Sequence, residues 1–186
     1  MRMAPAILAV LATVGVAGCG GGSSKSSTTS PSPGGPGSGA SIALSSDFKT
    51  GAAIARAHTC DGRDVSPPLD ATGLPSATKE LVVVMRDLDA PGGNFIHWLI
   101  AHLQPASGSM SLPAGVTPPG AVLGRNSFGS LGYRGPCPPS GPAHHYMITV
   151  YALGQPSGLR EGFSADDVSA LPVLGSGTLT GLYGRR

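Results

Sequence analysis

Two short stretches hold the side chains best suited to chemistry. Asp87-Leu88-Asp89-Ala90-Pro91 sets two carboxylates one residue apart, and His97-Trp98 follows a few residues later. A carboxylate beside an imidazole fixes the ring's tautomer and raises its pKa, which prepares a hydrogen-bond donor for an anion. The second stretch, Gly135-Pro136-Cys137-Pro138-Pro139, leads into His144-His145-Tyr146. A glycine among prolines makes a stiff wall whose backbone N–H groups can approach a ligand closely. Catalytic patterns are missing: the chain has no G-x-S-x-G elbow and no H-E-x-x-H pair. Neither Cys60 nor Cys137 sits in a nucleophile motif with an orienting base. Two His and two Asp could also hold a metal, but no H-x-x-x-H spacing supports one. A binding site is therefore expected rather than an enzyme, with no metal and no cofactor.

These residues need elements to position them. Residues 81–86 (LVVVMR) form a continuous apolar run too short for a helix, which predicts a buried strand. Residues 97–103 and 144–153 (HHYMITVYAL) predict two more, the last rich in aromatic and β-branched side chains. An antiparallel pairing of the first two would bring Asp87 or Asp89 near His97. His145, a strand neighbour of His144, should face away from any site that His144 lines. Trp98 and Tyr151 read more readily as core than as ligand platform, and His58 and His102 as surface or loop residues. Stretches 90–94, 117–120 and 135–141 are rich in turn formers. One short helix is expected over 168–171, opened by Ser164 as N-cap with Asp167 three residues on. Strands separated by Pro/Gly loops predict a mainly β domain.

Composition separates that domain from what precedes it. Gly and Pro make up 47 of the 186 residues, close to the share at which low complexity is suspected. The stretch 20–41 contains only Gly, Ser, Thr, Pro, Ala and one Lys, and is expected to be a disordered tether. Its root-mean-square reach would be roughly 25 Å. Before it, Arg2 and an apolar run over 6–16 fit a secretory leader too short to span a bilayer. The run ends in Val16-Ala17-Gly18-Cys19, which resembles the lipobox of bacterial lipoproteins. That resemblance implies cleavage before Cys19 and a lipid on its thiol. The expected organisation is a signal peptide over 1–18, lipidated Cys19 and tether over 19–41, and one domain over 42–186, held on the extracytoplasmic face of the membrane. All ten acidic residues and ten of the twelve basic ones fall in that domain. No basic run occurs apart from Arg185-Arg186, so a nucleic-acid partner is not expected. In an oxidising compartment Cys60 and Cys137 form an even pair, and a disulfide between them is expected, two buried thiols being the alternative.

The two chemical stretches, in this order, resemble the signatures of the phosphatidylethanolamine-binding protein (Raf kinase inhibitor protein) family, most closely its bacterial and archaeal branch. Leu88 stands where that family usually has Pro, and His145 where it has Arg. Further matches are Thr59-Cys60-Asp61-Gly62, Ser66-Pro67-Pro68-Leu69, Tyr151-Ala152-Leu153 and Gly181-Leu182-Tyr183. The resemblance implies two antiparallel sheets, a large central one and a smaller one, with a few short helices. It also implies an anion pocket at one end of the central sheet, built from Asp87, His97, Gly135, Pro136, His144 and Tyr146, with Asp89 and Trp98 in support. His97 and His144 would donate to phosphate oxygens, and Gly135 would offer its backbone N–H. The expected ligand is a phosphate-bearing small molecule such as a phospholipid head group. The alternative is a protein-interaction or inhibitor module acting on a protease or kinase.

Overall fold

A computed structural model describes residues 39–186. The signal peptide, Cys19 and nearly all of the tether lie outside the described residues. Nine strands form two sheets. In chain order they are β1 (Ala40–Ser41), β2 (Ala43–Ser45), β3 (Leu69–Thr72), β4 (Glu80–Asp87), β5 (Phe95–Leu103), β6 (Ser109–Leu112), β7 (Val122–Leu123), β8 (His144–Leu153) and β9 (Val173–Tyr183). The large sheet runs β1-β9-β8-β4-β5-β7 and the small one β2-β3-β6. Every pairing is antiparallel except β1 with β9, which is parallel. The first strand therefore begins two residues inside the stretch assigned by composition to the tether.

The central strands are where the apolar runs predict them. All of β4 except Arg86 is buried, because both faces of the large sheet are covered. Leu81, Val83 and Met85 pack with Ile148 and Val150 of β8 against Leu69, Met110 and Leu112 of the small sheet. On the opposite face Val82, Val84 and Leu99 meet Phe163 and Val168. Val168 belongs to α1 (Ala165–Ser169), whose Ser164 and Asp167 form the reciprocal cap expected there. The only other helical turn among the described residues is a 3₁₀ turn, Arg56–His58.

The longest strand, β9, has no apolar run to announce it. Its glycines replace side chains that would collide with the incoming chain. A Cβ on Gly175 would stand 2.3 Å from the Ala40 carbonyl oxygen, and one on Gly177 2.3 Å from that of Ile42. His58 also departs from expectation. It is buried, with Nδ1 2.9 Å from the Val65 carbonyl oxygen and Nε2 2.9 Å from Asp47 Oδ2. It lies in the β2–β3 connection, and an acceptor beside each ring nitrogen satisfies the imidazole in its buried place.

Candidate functional site

Antiparallel pairing gathers one end of each central strand. Asp87 closes β4, Phe95 opens β5 and His144 opens β8, and Asp87 pairs with Phe95 on one side and Tyr146 on the other. The register slips at this end: Met85 faces Trp98 but Arg86 faces Ile96, so His97 has no cross-strand partner on β4. Such a bulge re-aims a side chain at a sheet end. It puts the His97 ring against Tyr146, edge to face at 5.2 Å between centroids, and against Phe95 at 5.2 Å.

The result is a cleft of about 200 Å³. Asp87, His97, His144 and Tyr146 form its polar part, with Phe95, Phe128, Pro138 and Pro139 among its apolar walls. The carboxylate partner of the pocket is His144, not His97: His144 Nδ1 lies 2.8 Å from Asp87 Oδ2. Asp87 Oδ1 meanwhile accepts the Asp89 backbone N–H at 2.9 Å, so both carboxylate oxygens are held. His97 is bound twice to Arg134. Its Nδ1 lies 2.7 Å from the Arg134 carbonyl oxygen, and its own carbonyl accepts the Arg134 N–H at 2.8 Å. Burial pushes the His97 pKa below the ordinary imidazole value, outweighing the Arg134 carbonyl and the Asp87 charge. A raised pKa for this histidine is therefore not what the fold produces.

Tyr146 is the odd member. Its side chain is 0% exposed, it lines the cleft, and its hydroxyl has no hydrogen-bond partner of ordinary geometry. Burial, then the Asp87 carboxylate, both through its charge and as an acceptor near the hydroxyl, raises its pKa, so the phenol stays protonated. A buried hydroxyl without a partner costs about 1–3 kcal/mol, which a bound ligand's acceptor would recover.

The remaining expected residues lie behind the wall or beside it. The Gly135 N–H donates to Asp64 Oδ1 at 2.7 Å and is not free for a ligand. A Cβ on Gly135 would come within 2.3 Å of the His58 carbonyl oxygen, so its smallness serves close packing of two loops. Pro136 is buried and its carbonyl accepts the Cys60 N–H at 3.1 Å. Trp98 is core, edge-on to Tyr133 at 5.5 Å, and does not line the cleft. Asp89 and His145 are exposed outside it. The His145 backbone N–H and Nδ1 sit 2.6 and 2.8 Å from Asp89 Oδ2, which lowers the Asp89 pKa. His145 thus clamps Asp89 outside the cleft, and it faces out as strand alternation requires. The Cys60–Cys137 disulfide is formed, with 5.4 Å between Cα atoms, and Cys137 lines the cleft. Sequence reasoning missed Phe95 and Phe128. Phe95 could have been found as the residue two before His97 on one strand. Phe128 arrives on a loop docked to β5 by the Ser127 N–H on the Ile96 carbonyl, a contact with no local signature.

The comparisons agree with this two-sheet fold. A family model described as phosphatidylethanolamine-binding protein matches residues 44–184. A UPF0098 protein of Methanothermobacter thermautotrophicus is 45% identical over 134 residues, 69% of this chain and 88% of that protein. The lipoprotein-named LppC of Mycobacterium tuberculosis (strain H37Rv) is 39% identical over 141 residues, covering 73% of this chain and 68% of its own length. Among solved structures, Escherichia coli YbcL, described as a member of the mammalian family, superposes with a TM-score of 0.71 at 30% identity, over 79% of this chain and all of its own. A homologue from Chlamydia trachomatis gives 0.72 at 31%, over 78% and 99%. The two-sheet fold, the ordered motifs and a match spanning nearly the whole described domain converge: the chain belongs to the phosphatidylethanolamine-binding protein family.

Proposed function

We propose that the chain is a lipid-anchored binding protein of the extracytoplasmic membrane face, whose cleft takes a small phosphate-bearing ligand of the phospholipid head-group class. The single observation carrying this reading is the unpartnered Tyr146 hydroxyl, buried at the floor of a cleft flanked by two histidines. A phenol that stays protonated is a donor waiting for an acceptor, and a phosphate oxygen satisfies it. A cleft of about 200 Å³ suits a head group better than a whole lipid. Phe128, 40% exposed at the wall, offers an apolar neighbour to whatever the head group is attached to. The anchor reading rests on Cys19 and is supported by the lipoprotein name of the mycobacterial relative. Among the described residues no helix is long and apolar enough to cross a membrane. Thermal melts with phosphoethanolamine test the pocket. Saturation at about 100 times the dissociation constant should stabilise the protein by about 2.7 kcal/mol. An equal shift in His144→Ala, or none in the wild type, would count against it.

A further inference from the structure

The cleft is short of donors for a site that holds an oxyanion. The Arg134 carbonyl has no proton to give, so His97 Nδ1 carries the hydrogen of that 2.7 Å contact. In the neutral ring Nε2 is then a bare acceptor. His144 also has its Nδ1 engaged, but by a charged acceptor, Asp87 Oδ2. Among the described residues the hydrogen bonds of ordinary geometry at both rings fall on Nδ1, with the Gly135 backbone a further, weaker influence on the His97 ring.

The charges around His97 reinforce this. Asp87 approaches from β4, and His144 and Tyr146 from β8. Asp64, on the loop after the 3₁₀ turn, adds a negative field, although its Oδ1 already accepts the Gly135 N–H. No Lys or Arg lines the cleft. The Arg134 guanidinium lies over Phe128, 5.0 Å from its centroid, outside the lining. Burial lowers the pKa of His97, so its ring is neutral at pH 7. A fully ionised phosphate would therefore set its lone pairs against those of His97 and against the Asp87 charge.

Resting on the phosphate-ligand reading above, we propose that His97 Nε2 accepts a hydrogen bond from the ligand, so that the cleft selects the protonated oxyanion. The preferred species is a phosphomonoester monoanion with one P–OH, ahead of the dianion and ahead of any sulfate ester. Tyr146 donates to an ionised oxygen while His97 receives the P–OH. The two contacts together read the protonation state of the head group.

Calorimetric titration of the full chain with methyl phosphate and methyl sulfate tests this. At pH 5.5 the two esters are close in shape and both are largely monoanionic, but only the phosphate has a proton to give, its second pKa being about 6. Methyl phosphate should bind at least about tenfold more tightly there, since a site built for a ligand hydroxyl rejects an analogue lacking it. Its affinity should fall by about tenfold per pH unit once the dianion predominates. In His97→Gln the side-chain amide puts a donor near the place of Nε2, and the preference should collapse toward unity. Equal binding of the two esters at pH 5.5, or a methyl phosphate affinity that is flat to pH 7.5, would overturn proton selection while leaving the anion pocket standing. Binding of neither ester would overturn the pocket and this inference together. An unchanged preference in a folded His97→Gln protein would overturn the assignment to His97. Should that variant not fold, the wild-type comparison decides alone.

Discussion

At the scale of single residues, the site is a set of groups whose outer atoms are fixed and whose inner atoms are free. Asp87 holds His144, Arg134 holds His97, and the Tyr146 hydroxyl, though near the Asp87 carboxylate, makes no hydrogen bond of ordinary geometry. Function and stability should therefore separate at Tyr146. Replacing it with Phe removes an unsatisfied buried hydroxyl, and the ligand-free protein should be as stable or gain about 1 kcal/mol in urea titration. The same change should weaken phosphate-ligand binding by about tenfold. A loss of stability on Tyr146→Phe would mean that the hydroxyl already has a partner. His97 gives a second prediction, with a definite sign. Its folded pKa lies below the unfolded value near 6.5, so the unfolded chain binds the proton more readily. Stability conferred by the neutral ring is full above that value and is lost as pH falls below it. Melts from pH 7 to 5 should show a decline that is smaller in His97→Gln. A decline of equal size in the variant would assign it to other groups.

At the scale of elements, legibility followed the source of each signal. The strands β4, β5 and β8 carry dense apolar runs, and those runs place them within a residue or two. The cap of α1 was readable because Ser164 and Asp167 act within one turn. Strand β9 was not readable, because close approach by the chain at Ala40 and Ile42, rather than burial of its own side chains, dictates its glycines. The bulge at His97 was equally hidden. An unbroken register from the Met85–Trp98 pair would set Arg86 opposite that histidine; one extra residue on β5 leaves His97 without a β4 partner, while the Asp87 carboxylate bonds His144. Gly177→Ala tests the packing account of β9. A Cβ 2.3 Å from a backbone oxygen cannot be absorbed by a rotamer change, so a loss of about 1–3 kcal/mol is expected. Gly51, with open space around its Cβ position but a φ of 78°, should lose only about 1 kcal/mol as Ala. Chemical denaturation of the two variants should rank them in that order, and the reverse order would refute the close-packing argument.

At the scale of the whole molecule, the disulfide joins the loop after the 3₁₀ turn to the cleft wall at Cys137 across 77 residues. A loop of that length corresponds to about 4 kcal/mol in the chain-entropy picture. Cys60→Ser with Cys137→Ser should lower the melting temperature and weaken ligand binding, because Cys137 and Pro138 would lose their tie to the Cys60 loop. Unchanged binding in the double variant would make the bridge a stabiliser only. The pairing was legible from arithmetic once Cys19 was set aside. The pocket's membership was only half legible: four polar residues came from motifs, whereas the aromatic walls came from tertiary packing. The central claim is that this cleft, at the end of the large sheet, holds a phosphate group. It is tested most directly by a crystal of the protein soaked in phosphoethanolamine. The account predicts a phosphate oxygen about 3 Å from the Tyr146 hydroxyl, with the head group between His97 and His144. An empty cleft at saturating ligand, or phosphate bound only elsewhere on the surface, would contradict it.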